Sequence, residues 1–222
     1  MRQNSVAQRI NSRREKTTMF KIFYTLCCAL LALAFASAAY AQQGMTTLNP
    51  PRAVDNDGKI EVLEFFAYGC IHCANLETPL AAWARRLPTD VKLKRMPSPA
   101  LLMGIDSPAI YYSLEAMGQL ERLHTKLFEA AHIDNVILGN PGILNNWLEK
   151  NGVDTKKYAE VQKSFSVATK INRARRSIGD YNIELTPTLV VNGRYALVQT
   201  GETVDAFLTR LDLVIGLARS GK

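Results

Sequence analysis

Cys70-Ile71-His72-Cys73 is the segment of this 222-residue sequence whose residue types and spacing most clearly permit chemistry. It falls where an apolar strand pattern ends and a helical period begins. Free backbone N–H groups and the helix dipole at such a start favour an anion. One thiol there should ionise below its ordinary range, and the second, one turn further in, should be buried and close enough to bridge. The chemistry this permits is thiol–disulfide exchange. His72 lies between the two thiols, either as an imidazole that adds to thiolate stabilisation or as an exposed helix residue. Glu64 sits six residues before Cys70 inside the apolar run. It is either a strand-edge residue facing water or a buried acid able to pass protons to and from Cys73. Further along, Thr186-Pro187 precedes a β-branched strand. This proline either marks a strand boundary or, in a cis bond, turns the backbone toward the cysteines and frees main-chain groups to pair with a peptide.

A zinc half-site is the competing use of a C-x-x-C pair, but zinc needs about four ligands. Past the first 41 residues the chain has no second cysteine pair, and besides His72 only His124 and His132. Those two, eight apart on a helical stretch, are read as surface or packing residues.

The elements that must position these residues follow from periodicity. Lys59 to Tyr68 is a dense apolar strand of the kind buried on both faces. From Cys70 the period turns helical, with Leu76, Leu80, Trp83 and Leu87 at three- and four-residue steps and Pro79 as a kink. Val91 to Arg95 alternates as a second strand, which completes a βαβ unit. The middle is helical: Ser107-Pro108 and Asn140-Pro141 are start signals, Asn151-Gly152 a stop, Asp154 a cap, and a further helix covers about 165–178. Thr188 to Val191 and Tyr195 to Val198 flank the hairpin signal Asn192-Gly193. A last helix begins at Thr203. The layout is β-α-β, roughly 70 residues of helices, then β-β-α.

Residues 1–41 read as a secretory signal peptide to be removed: six basic residues against one acid, an apolar run from Ile22 to Phe35, and small residues ending Ala39-Tyr40-Ala41. An uncleaved anchor is the alternative, although the run is short for a bilayer. Met19 is an alternative start. Cys27 and Cys28 lie in the apolar run and would leave with it. The chain has 27 basic and 20 acidic residues, and residues 42–222 hold 21 and 19, a net of +2. The high isoelectric point therefore belongs largely to the leader and makes no case for nucleic acid.

Glu64 to Cys73, E-F-F-A-Y-G-C-I-H-C, resembles the active-site segment of the DsbA family of thiol:disulfide interchange proteins. It carries C-I-H-C where C-P-H-C is usual. Thr186 to Gly193 is similar to that family's cis-proline loop and hairpin. The resemblance extends over essentially all of 45–220. It implies an α/β thioredoxin fold, a central mixed sheet flanked by helices, with an inserted all-helical domain. The corresponding divisions are 42–106 and 166–222 for the two thioredoxin-like parts and 107–165 for the insertion. It implies Cys70 as the attacked cysteine, Cys73 as its partner, His72 as thiolate stabiliser and Glu64 as the buried acid. Thr186, Pro187 and Ile71 would meet substrate. It implies a redox-active disulfide in place of any cofactor, and a periplasmic monomer acting on unfolded secreted proteins, with a DsbB-type membrane reoxidant. Ile71 leaves the oxidising strength open. Two rivals share the fold or the site. One is a periplasmic reductase or isomerase, although an isomerase of the DsbC kind carries an N-terminal dimerisation domain that Gln42 to Gly58 is too short to supply. The other is a peptide-binding chaperone whose disulfide is structural.

Overall fold

The computed structural model describes residues 44–221, apart from positions 56 and 101. The expected leader, with Cys27 and Cys28, lies outside the described residues. Five strands make one mixed sheet: β1 (Met45–Thr47), β2 (Ile60–Phe66), β3 (Val91–Pro97), β4 (Thr188–Val191) and β5 (Tyr195–Val198), in spatial order β1-β5-β4-β2-β3. β2 and β3 are parallel, joined through helix α1 (Ile71–Ala84), and the other pairings are antiparallel. β2 is paired on both sides and buried from Glu61 to Phe66, as its unbroken apolar run requires.

Six more helices follow among the described residues: α2 (Ser107–Ala116), α3 (Leu120–His132), α4 (Pro141–Lys150), α5 (Thr155–Gln162), α6 (Phe165–Asp180) and, after the hairpin, α7 (Val204–Arg219). Asn192 and Gly193 both take positive φ, 50° and 64°, the conformation a two-residue hairpin of right-handed twist demands. A side chain at Gly193 would also meet the Arg52 carbonyl, so glycine is required there twice over.

Two features differ from the sequence reading. β1 is an added strand, too short to carry a pattern, held by pairing with β5. Ser107 is not the cap of α2. Asp106 caps it, its carboxylate accepting from Ala109 N–H, while buried Ser107 Oγ accepts the N–H of Tyr68 at 2.9 Å. The helix does start here, but the serine hydroxyl serves a residue next to the cysteines instead.

One apolar cluster lies between α1, α7 and the sheet, around Leu76, Leu80, Phe207, Leu211 and Leu197. A second joins the end of β2 to the helical region, with Phe66, Tyr68 and Cys73 against Ile110, Leu123, Leu127 and Phe128. The cysteine pair is thus anchored in the seam between sheet and helices.

Candidate active site

Cys70 is the N-cap of α1, and its sulfur accepts the Cys73 N–H at 3.4 Å. The chain reaches that point through Ala67, Tyr68 and Gly69, with the Cys70 N–H donating to Ala67 O. Gly69 is required by close approach: a Cβ there would stand 2.1 Å from the Leu102 carbonyl oxygen. Both thiols are free. Cys70 retains 7 % exposure and Cys73 none, so only the first keeps any contact with solvent.

The environment separates the two thiols. Cys70 is pulled down to about 5, first by the hydrogen bond from the Cys73 thiol, then by the Thr186 side chain and by the backbone N–H groups of Cys73 and His72, against a burial cost. Burial pushes the Cys73 thiol far up, helped by its bond to Cys70 and by the nearby charge of Glu64. Hydrogen bonds to an ionised group contribute about 1.5–3 kcal/mol each. Cys73→Ala should therefore raise the Cys70 titration by about one to two pH units. Cys73→Ser, which keeps a donor, should raise it less. Ultraviolet thiolate absorbance of the two variants makes the comparison, and equal shifts would remove the Cys73 thiol from the explanation.

The Thr186–Pro187 bond is cis, and the Thr186 carbonyl accepts the Cys70 thiol at 3.2 Å. The loop from Leu185 to Thr188 therefore lies directly on the first cysteine. Ile71 and Leu185 are 50 % and 65 % exposed, and Leu102 and Met103, on the turn against Gly69, are also exposed. The segments touching Cys70 thus carry apolar side chains to the surface. His72 also faces solvent, and it reaches the Cys70 sulfur through its backbone N–H.

Glu64 is 1 % exposed in the middle of the sheet, not at an edge. Burial lifts it to about 7, against the opposing charge of Arg95. Arg95 stands opposite it in the β2–β3 register and donates from Nε to Glu64 Oε2 at 3.1 Å. Three members of this region escape the sequence reading. Arg95 Nη2 also reaches Glu77 on α1 at 3.3 Å, and Glu77 accepts from the Thr125 hydroxyl at 3.0 Å. His124 is buried, its Nε2 3.3 Å from Glu77 and its Nδ1 2.9 Å from the Tyr68 hydroxyl. The only signal in the sequence for them is an ionisable residue at each of three apolar faces. Nothing in the spacing shows that the faces converge. His132, also read as ordinary, binds the Tyr68 carbonyl at 2.8 Å.

This geometry can perform thiol–disulfide exchange, with a low-proton-affinity sulfur at a helix start, a high-affinity sulfur behind it, and a carboxyl poised near neutrality. Comparison with known proteins agrees. Residues 104–212 match the model of the DSBA-like thioredoxin domain. A thiol:disulfide interchange protein DsbA from Bordetella parapertussis is 39% identical over 183 residues, covering 82% of this chain and 87% of the relative. The chain belongs to the DsbA family. A DsbA from Pseudomonas aeruginosa is 35% identical over 176 residues, 75% of this chain and 82% of that one. A P. aeruginosa DsbA crystal structure superposes with a TM-score of 0.72 at 30% identity, covering 80% of this chain and 93% of that one. The Xylella fastidiosa DsbA gives 0.71 at 29% identity, with 80% and 96% covered. The fold is the thioredoxin-like fold of DsbA proteins, and the activity is that of a thiol:disulfide interchange oxidoreductase.

Proposed function

We propose that this DsbA-family chain is exported to the periplasm and donates the Cys70–Cys73 disulfide to unfolded secreted proteins. The observation that carries the reading is the placement of the two sulfurs at the start of α1, Cys70 capping the helix and accepting the Cys73 N–H while Cys73 lies fully buried behind it, which opposes their proton affinities. A substrate thiolate attacks Cys70 Sγ. The new S–S bond forms as the Cys70–Cys73 bond breaks, and the electron pair departs on Cys73. Glu64, protonated about half the time near neutral pH, gives that sulfur its proton and is recharged from solvent. A second substrate thiolate attacks the substrate sulfur of the mixed disulfide and expels Cys70 as a thiolate. The substrate has lost two electrons and the enzyme has gained them. A DsbB-type membrane protein would return the pair to the disulfide, and no cofactor is needed. Cis-Pro187, with Thr186, Ile71 and Leu185 beside it, offers main-chain and apolar contacts to an extended, unfolded segment. His72 supports the thiolate from the helix start. The protein works as a monomer, with residues 107–165 as a helical insertion between two thioredoxin-like parts.

Equilibration with glutathione tests the direction. Holding Cys70 at about 5 stabilises the reduced form at pH 7 by about 3 kcal/mol over an ordinary thiol, or about 60 mV for two electrons. The expected result is a disulfide reduced by modest glutathione excess. One that persists at large excess would make the protein a reductase instead.

A further inference from the structure

A buried polar chain runs from the helical region to the cysteine pair. On β2 and the turn after it stand Glu64 and Tyr68, on α1 Cys73 and Glu77, on β3 Arg95, and on α3 His124 and Thr125. Tyr111 of α2 closes over the imidazole, ring centres 5.8 Å apart. Tyr68 is held at three points: its N–H by Ser107, its carbonyl by His132 and its hydroxyl by His124. Burial keeps the Tyr68 hydroxyl protonated and His124 neutral.

The tautomer follows from the partners. Glu77 is anionic, held low by His124, Arg95 and Thr125 against its burial. A carboxylate only accepts, so the ring proton of His124 belongs on Nε2, 3.3 Å from Glu77 Oε2. Nδ1 then accepts from Tyr68. The Nε2 contact falls short of full hydrogen-bond geometry, so Glu77 is only partly satisfied by it and leans on Arg95 for the rest. Arg95 is thereby divided between two buried carboxylates, Glu77 at 3.3 Å and Glu64 at 3.1 Å.

We propose that His124 is a positioning residue of the exchange reaction: by occupying Glu77 it leaves Arg95 to Glu64, and so sets the proton affinity of the carboxyl that serves Cys73. This rests on the reading of Glu64 as the proton partner of Cys73. Without the imidazole N–H, Glu77 draws Arg95 toward itself and presents a less compensated negative charge to Glu64. Both effects make Glu64 hold its proton more tightly. Removing the Tyr68 hydroxyl acts in the same direction but more weakly, because the imidazole keeps its proton on Nε2 and loses only the partner that holds its ring against Glu77.

The test titrates the Glu64 side-chain carboxyl of the reduced protein by carbon-13 NMR, the signal being assigned by its loss in Glu64→Gln. The pH dependence of reduction of the oxidised protein by glutathione is followed in parallel. His124→Leu should move both midpoints upward by about half a pH unit or more, about threefold in proton affinity. Tyr68→Phe should move them the same way by less, and His124→Gln, which restores a donor for Glu77, should bring them back. A merely structural histidine would change stability and leave the midpoints in place. If His124→Leu does not fold, Tyr68→Phe decides alone. Midpoints that stay or fall in these variants, with the inflection still abolished by Glu64→Gln, would overturn the role of His124 and leave that of Glu64 standing. A rate profile that Glu64→Gln leaves unchanged would remove both.

Discussion

The reduced protein should be more stable than the oxidised protein at pH 8 and less stable at pH 5. A disulfide ordinarily stabilises by restricting the unfolded chain, but one closing a four-residue loop contributes only about 2 kcal/mol. Against it stands the Cys70 thiolate, present only in the reduced form. Its folded value is about 5, and an unfolded thiol titrates near about 8.5. A depressed folded value gives stability that is complete above the unfolded one and is lost as pH falls through the folded one. The contribution is about 4 kcal/mol at pH 8, about 3 at pH 7 and under about 0.5 at pH 5. The two forms should therefore exchange rank at about pH 6–7. Urea unfolding of both forms across this range gives the comparison. An oxidised form that stays the more stable at pH 8 would show that the thiolate is not held as the geometry at the start of α1 requires.

Glu64→Gln should slow exchange by about two orders of magnitude while making the fold more stable. A positioned proton donor contributes about 10²–10⁴ in rate, and glutamine keeps the shape and polarity of the side chain without a proton to give. The rate profile should lose its inflection near pH 7, where Glu64 titrates. The stability change has the opposite sign. A free glutamate titrates near about 4.3, so between that value and about 7 the folded chain retains a proton that the unfolded chain has released. Stability falls as pH rises through that window, and the full penalty, about 3–4 kcal/mol, applies above it. Glutamine escapes this penalty but weakens the bond to Arg95, which leaves a gain of about 1 kcal/mol or more at pH 8. A variant that is slower and also less stable at pH 8 would mean that Glu64 is anionic and structural.

Much of the fold and of the cysteine site is legible in the sequence. The C-x-x-C pair at the junction of an apolar strand and a helical period, the acid six residues earlier, and Asn192-Gly193 between two apolar strand patterns are local patterns. The first and the last encode their own geometry, a helix start and a hairpin with two positive φ values, whereas the acid leaves strand edge and burial open until the sheet places it in the middle. The network behind the cysteines is not legible because its members come from separate elements. Arg95 meets Glu64 through the β2–β3 register, 31 residues away in sequence. His124 meets Tyr68 at a separation of 56. A histidine on an amphipathic helix looks the same whether it packs or pairs. Only the docking of α3 onto the end of β2 distinguishes the two. Ser107 illustrates the same limit, since its place at a helix start is visible in the sequence and its partner Tyr68 is not.

Everything proposed for this protein depends on Cys70 being ionised well below neutrality while Cys73 is not. Ultraviolet thiolate absorbance of the reduced protein against pH measures this directly, with Cys70→Ser as the reference. One thiolate should appear with a midpoint near 5, absent in Cys70→Ser, and no second thiolate through neutral and mildly alkaline pH. A Cys70 midpoint near the ordinary thiol value of about 8.5, or two thiols ionising together, would contradict it.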